Sequence, residues 1–276
     1  MKKNRKLLLR LCVLLASLLV VFSAMAMLLP EKEALPDATM APDPVPRPYP
    51  TLKPNPYTPE DFYYDEGYLV CSAAQTVMGI DVSRYQGEID WVQVKQAGVE
   101  FAMVRLGNRG IADGQLYEDA YARQNLQGAK DAGLKVGAYF YSQALTVEEA
   151  LEEAALALEI LDGFALDMPL VFDWEQESRT EKMDNRTLTD CTLAFCQAVE
   201  AAGYEPMVYF NSYQAQELLI LEELQDIPWW LAMYDITAEF PYKVDMWQYT
   251  CTGTVPGIEG SVDINLLFDT NILNGG

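Results

Sequence analysis

Histidine is missing from all 276 residues of this chain, and that absence removes whole classes of chemistry. Ser-His-Asp and Cys-His nucleophile systems, H-E-x-x-H zinc sites and imidazole general bases all need it. Proton transfer near neutral pH then falls to Asp, Glu, Tyr, Lys or Cys. Cations are scarce too: 19 Lys and Arg stand against 41 Asp and Glu, a formal charge of −22. A duplex demands a basic face, so we expect no nucleic-acid partner. No side chains show metal-ligand spacing, so neither metal nor cofactor is expected. The five cysteines set no disulfide framework: Cys12 lies in an apolar run, and Cys191 and Cys196 sit five apart on one expected helix, a poor geometry for a bridge. Cys71 and Cys251 could pair in an exported protein.

What is present divides the chain into three parts. The first ten residues hold five cations and no anion, and Leu11 to Leu29 follow as 19 residues without a charge. A helix needs roughly 20 residues to cross a bilayer, and flanking cations hold its start in the cytoplasm. We read residues 1–29 as a single-pass membrane anchor. The competing reading is a signal peptide cleaved near Ala26, because Ala24-Met25-Ala26 fits the small-x-small pattern. Both export the remainder. Residues 30–75 read as a proline-rich linker and lead-in, since ten of the 15 prolines lie between Pro30 and Pro59 and favour a stiff, extended course.

From residue 76 to 276, the expected catalytic domain, short apolar runs alternate with amphipathic stretches. Strands are expected at Val77–Val82, Phe101–Leu106, Lys135–Tyr141, Leu170–Trp174, Met207–Phe210, Trp229–Tyr234, Val244–Tyr249 and Val262–Leu267. Helices are expected at Trp91–Ala97, Tyr117–Ala132, Val147–Leu161, Leu188–Ala202 and Gln214–Leu224. Gly98, Gly133 and Gly203 stand where helix C-caps belong. The alternation predicts a parallel β/α barrel, with no room for helices between the last strands. The acidic run Glu148, Glu149, Glu152, Glu153 and Glu159 reads as the solvated face of a helix.

Active sites of such barrels lie at the C-terminal strand ends. Those ends supply Asp81, Asp173 and Glu175, with Trp230 in the sixth strand, Gln248 near the end of the seventh and Asp263 at the start of the eighth. Asp173 and Glu175, two apart, project to one strand face. Paired carboxyls suit glycoside hydrolysis, one protonating the leaving oxygen and the other working at the anomeric centre. Crowding by like charge favours protonation of one member. A solvent-exposed acidic loop is the plainer reading of D-x-E alone.

Neighbouring motifs raise it above that. Gly79-Ile80-Asp81-Val82-Ser83-Arg84-Tyr85-Gln86-Gly87 with Ile89-Asp90-Trp91 resembles the opening of glycoside hydrolase family 25, the Chalaropsis-type muramidases. So do Phe101–Gly107, Gly137–Tyr141, Pro169–Glu175, Trp230–Tyr234 and Trp247-Gln248-Tyr249 leading to Val262–Asn265, in that order. The resemblance implies an α/β fold, a single flattened TIM-like barrel, that cleaves the β-1,4 bond between N-acetylmuramic acid and N-acetylglucosamine. It implies Glu175 as general acid and Asp173 as stabiliser of the oxocarbenium-like centre or orienter of the substrate's N-acetyl group, with Asp81 and Asp263 lining the same pocket. Many members carry histidine where Phe140 stands here.

Of the aromatics near strand ends (Tyr139, Tyr141, Tyr209, Trp230, Tyr234, Trp247 and Tyr249), Tyr141, Tyr209 and Trp230 are expected to contact sugar with Gln248, and about half of the set to be core. The expected partner is the peptidoglycan glycan strand, met by a monomer. A non-catalytic glycan-binding module, or a hydrolase of another β-1,4-linked N-acetylhexosamine polymer such as chitin, would use the same barrel.

Overall fold

The computed structural model describes residues 52–234 and 239–274. A hairpin of β1 (Phe62–Asp65) and β2 (Tyr68–Cys71) precedes β3 (Val77–Val82), β4 (Phe101–Arg109), β5 (Leu116–Glu118), β6 (Lys135–Ser142), β7 (Leu170–Trp174), β8 (Pro206–Asn211), β9 (Trp229–Ala232), β10 (Met246–Gly253) and β11 (Val262–Leu267). Strands β3, β4 and β6 to β11 close into an eight-stranded barrel, with β11 bonding back to β3 and β5 added to the edge of β4. Helices α1 (Trp91–Gln96), α2 (Ala122–Asp131), α3 (Val147–Leu161) and α4 (Asn185–Ala201) occupy the early crossovers. Asp90, Thr146 and Asp184 accept the N–H of Gln93, Glu149 and Thr187 at 3.1, 3.3 and 3.0 Å, which starts α1, α3 and α4 with satisfied amides. Gly98, Gly133 and Gly203 follow α1, α2 and α4 at φ of 92°, 79° and 89°, the left-handed cap that lacks a Cβ penalty.

All eight expected strands form, but the barrel is not wholly parallel: β11 runs antiparallel to both β10 and β3. Only the eight residues 254–261 join β10 to β11, and a parallel crossover needs a dozen or more. Period-two alternation divides the side chains into two cores. Phe101, Met103, Tyr139, Val171, Met207, Tyr209, Trp230 and Met246 fill the barrel, while Ala102, Val104, Phe140, Phe172, Val208 and Leu231 face the helices. A Cβ on Gly79 would lie 2.2 Å from the Phe101 ring and one on Gly137 2.5 Å from the Met103 sulfur. Bare backbone at both positions lets these large side chains plug the lower barrel. Phe140 is fully buried in the outer core, so the family's histidine position turns away from the cleft.

Several expectations are corrected. The first part of the expected helix Tyr117–Ala132 is strand β5, because Asp119 is taken by Arg105 at 2.6 Å and by the Tyr121 N–H at 3.0 Å, and helix starts only at Ala122. The segment Gln214–Leu224 is one π-helical turn and one 3₁₀ turn. The Gln214 side chain is drawn away to Asn211 N–H and to the Trp174 carbonyl. Glu153 does not sit on a solvated face: it is buried, and Arg109 Nε donates to it at 2.8 Å. Cys71 and Cys251 are both free.

Residues 52–59, expected in the linker, belong to the domain. The Asn55 N–H donates to the Pro241 carbonyl at 2.9 Å, and the Lys243 N–H donates to the Lys53 carbonyl at 2.9 Å; Pro54 and Pro56 have no N–H to offer, so pairing falls on the residues between them. Leu52, Phe62, Leu69 and Cys71 are buried in the outer core. The expected membrane segment, Leu11–Leu29, lies outside the described residues; among those described, no helix is long and apolar enough to cross a bilayer.

Candidate active site

At one rim of the barrel an open cleft of about 200 Å³ is lined by Asp81, Asp173, Glu175 and Asp263, and by Tyr141, Tyr209, Trp230 and Gln248. Every residue singled out for the site therefore converges there. Tyr141, Asp173, Tyr209 and Trp230 are successive cross-strand neighbours on β6 to β9. Asp81 and Asp263 face each other across β3 and β11. In a parallel strand Asp263, near the start, would lie at the far end; the reversal of β11 brings it to the rim that holds the cleft.

A buried hydrogen-bond chain fixes Asp81. Its Oδ2 accepts Gln248 Nε2 at 2.9 Å and Asn265 Nδ2 at 2.8 Å. The Tyr209 and Tyr234 hydroxyls donate to Gln248 Oε1 at 3.1 and 2.9 Å, and Trp230 Nε1 donates to Asn265 Oδ1 at 2.8 Å. With both amide oxygens occupied, both NH₂ groups must turn to Asp81. Gln248 is thus engaged within the protein, and Tyr234 and Asn265 join the site through contacts no spacing rule reveals. Trp247 and Tyr249, by contrast, face outward: Trp247 packs edge-on to Phe62, and the Tyr249 hydroxyl accepts the Leu69 N–H.

The backbone carrying Asp173 and Glu175 is clamped from both sides. Gln214 Nε2 donates to the Trp174 carbonyl at 2.6 Å, and Gln143 Nε2 to the Glu175 carbonyl at 2.8 Å. Trp174 points out of the barrel and its Nε1 donates to the Ala144 carbonyl at 3.2 Å. The following loop is tied down by Arg179, which pairs with both oxygens of Glu149 at 2.7 and 3.0 Å and donates to the Gln143 carbonyl. Beneath it, burial pushes the Glu153 carboxyl up to about 7 despite the Arg109 guanidinium. Gln143 and Gln214 were invisible in sequence, since buried amides have no spacing signature.

Four carboxyls in one cleft hinder one another's ionisation. Burial first, then Asp263, lifts Asp81 well above the usual carboxylate range, although Asn265 and Gln248 pull it down. Burial, Glu175 and Asp81 lift Asp173, against the Arg105 guanidinium. Glu175 is raised by burial and then by Glu177, and burial brings Asp263 to about 6. Such a cluster resists losing all its protons together, and a retained carboxyl proton is what acid catalysis without histidine requires. Asp173 is 5% exposed, and its Oδ1 is buried with no hydrogen-bond partner in the protein, an uncompensated acceptor that resists taking negative charge.

The chain is similar to known proteins. The profile of the family described as Glycosyl hydrolases family 25 matches residues 80–258. The uncharacterized protein YegX of Escherichia coli O157:H7 is 29% identical over 72% of this chain and 72% of its own length. The autolytic lysozyme of Clostridium acetobutylicum is 29% identical over 72% of this chain and 57% of its own. Among solved structures, the modular autolysin LytC of Streptococcus pneumoniae, in complex with a synthetic peptidoglycan ligand, superposes with a TM-score of 0.63 at 24% identity, covering 74% of this chain and 51% of that one.

Proposed function

The chain belongs to the glycosyl hydrolases of family 25, and from that premise we propose that it is a muramidase hydrolysing the β-1,4 bond between N-acetylmuramic acid and N-acetylglucosamine in peptidoglycan. The convergence of Asp81, Asp173, Glu175 and Asp263 in one open cleft is the observation that carries this reading. The curated lysozyme relative supports it.

Glu175, half-buried and raised above its ordinary pKa by burial and then by Glu177, gives its proton to the glycosidic oxygen as the C1–O bond breaks. Asp173 lies deeper. Its carboxyl lines the cleft and suits accepting the N–H of the substrate's 2-acetamido group, so that the acetamide oxygen closes on C1 from the other face as internal nucleophile. Water, losing its proton to the Glu175 carboxylate, then opens that ring with net retention. Asp81, whose carboxylate form the Gln248 and Asn265 donors favour, faces the developing cation, with Asp263 opposite it across the strand pair. Tyr141, part-exposed at the rim, supplies the aromatic wall, with Tyr209 and Trp230 as the buried floor beneath it. The basic tip and the apolar run Leu11–Leu29 support an exported domain, tethered by a single-pass anchor or released near Ala26.

The test is Glu175→Gln in the full chain. Reducing-end release from purified peptidoglycan should fall on the order of a thousandfold, with an unchanged melting curve; undiminished release sinks the assignment. Mass spectrometry of the new reducing ends should show muramic acid. Glucosamine there would move the cut to the other β-1,4 bond of the same strand.

A further inference from the structure

Nearly every cation of the domain is spent on a carboxylate. Of the 11 Lys and Arg from residue 76 onward, nine form ion pairs. Of those eleven, Arg84 and Lys182 form none; among the described residues Lys53 is likewise unpaired. Arg84 is exposed, and its guanidinium meets only the Tyr85 side chain: Nη2 donates to the hydroxyl at 3.4 Å, and Cζ lies 5.2 Å from the ring centroid. The Arg105 guanidinium lies 5.1 Å from the same centroid. Asp119 anchors both arginines, accepting the Arg84 N–H at 3.1 Å and Arg105 Nε at 2.8 Å. A free cation beside a carboxyl-lined cleft, in a chain of charge −22, is a local inversion of the protein's field.

Arg84 also stands on a second groove. A trough of about 670 Å³, lined in part by Arg84, Ile111, Tyr117 and Glu177, shares Tyr85, Arg105 and Tyr141 with the catalytic cleft. The two are therefore continuous. Tyr85 is 73% exposed and Tyr117 45%, and the Tyr117 hydroxyl is fixed by donation to Asp113 at 2.6 Å. The trough is more than three times the volume of the cleft that holds the carboxyls, so it is sized for more than the sugar undergoing cleavage.

We propose that this trough receives the peptide stem of the muramic acid residue, with Arg84 pairing to a stem carboxylate and Tyr85, Ile111 and Tyr117 packing on its aliphatic parts. The inference rests on the muramidase reading. The stem hangs from the very sugar whose glycosidic bond is cut, so it has to leave the cleft through an adjoining channel. An acidic protein body repels the stem, and one uncommitted guanidinium where it exits reverses that locally. Guanidinium suits carboxylate through paired N–H donors.

The experiment compares kcat/KM on stem-bearing glycan with kcat/KM on glycan stripped of stems by an amidase. Arg84→Ala should lower that ratio about tenfold, and Arg84→Lys should restore part of it. An unchanged ratio, including an equal fall on both substrates, overturns the proposal and leaves the muramidase reading intact. A second measurement needs no turnover: a soluble muramoyl-peptide titrated into the Glu175→Gln chain should bind about tenfold more weakly once Arg84→Ala is added. No binding with Arg84 in place, or equal binding without it, also overturns the proposal. Failure to cleave either glycan would instead indict the muramidase reading.

Discussion

Replacing Gln248 by leucine tests whether the polar chain behind the cleft sets the ionisation of Asp81. Leucine approximates the volume but ends the Nε2 donation to Asp81, a 2.9 Å contact. A hydrogen bond to a charged group is worth about 1.5–3 kcal/mol, and its loss favours the protonated carboxyl. The acid limb of the kcat/KM profile should then move upward by on the order of one pH unit, at about 1.4 kcal/mol per unit. The substitution also strips Tyr209 of its acceptor. That phenol is buried, so its orphaned hydroxyl costs about a further 1–3 kcal/mol, whereas Tyr234, 55% exposed, regains water. Together the losses come to about 2.5–6 kcal/mol, or roughly 10 °C in melting temperature for a domain of this size. Tyr234→Phe is the control: it removes one phenol and leaves the Gln248–Asp81 contact, so its acid limb should stay in place. A Gln248→Leu enzyme that melts lower yet keeps the parent's pH profile would refute the reasoning, because the chain would then be scaffolding alone.

Two further outcomes follow from the same structure. Asp263, at about 6 in the folded protein, binds a proton that the unfolded chain, at an ordinary pKa of about 3.9, has already released. Stability therefore declines as pH rises from about 4 to about 6, and the deficit is complete above that window. Asp263→Asn should melt higher than the parent at pH 7, by on the order of 1–2 kcal/mol after allowance for partial exposure, and match it below pH 4; parallel curves at every pH would contradict this. Truncation tests the N-terminal boundary. A chain beginning at Leu52 should melt like the full protein and cleave soluble glycan, while one beginning at Thr76 loses the buried side chains of Leu52, Phe62 and Leu69. At about 1.5–3 kcal/mol each, that predicts a drop of more than about 10 °C, and equal melting would show the hairpin to be dispensable.

The barrel was legible because alternation leaves a mark in sequence. Phe101, Met103 and Arg105 point inward while Ala102, Val104 and Leu106 point outward, and each barrel strand repeats that rhythm. Asp173 and Glu175 were legible for the same reason, two residues apart at a strand end. Asp263 was found by motif, but its place at the rim depends on the direction of β11, which only the short connection decides. Other features are set by contacts distant in sequence. Glu153 reads as one more glutamate of an acidic helix until Arg109, at the end of β4, is brought to 2.8 Å. Gln143 and Gln214 look like ordinary polar residues; what matters is which carbonyls they reach across the fold. The lead-in hairpin hid behind its prolines, whose missing donors argued for a linker while the residues between them found partners.

The reversed closing strand has a consequence for how activity is born. Asn265 on β11 reaches Asp81 across 184 residues of sequence, so the carboxyl cluster joins the first barrel strand to the last. Contacts so distant are slow to form. An intermediate with β11 undocked would have most of its secondary structure, two unsatisfied strand edges on β3 and β10, and no assembled site. Competence to cut a glycan is thereby withheld until the ring is sealed, and a chain that stalls in folding is catalytically silent.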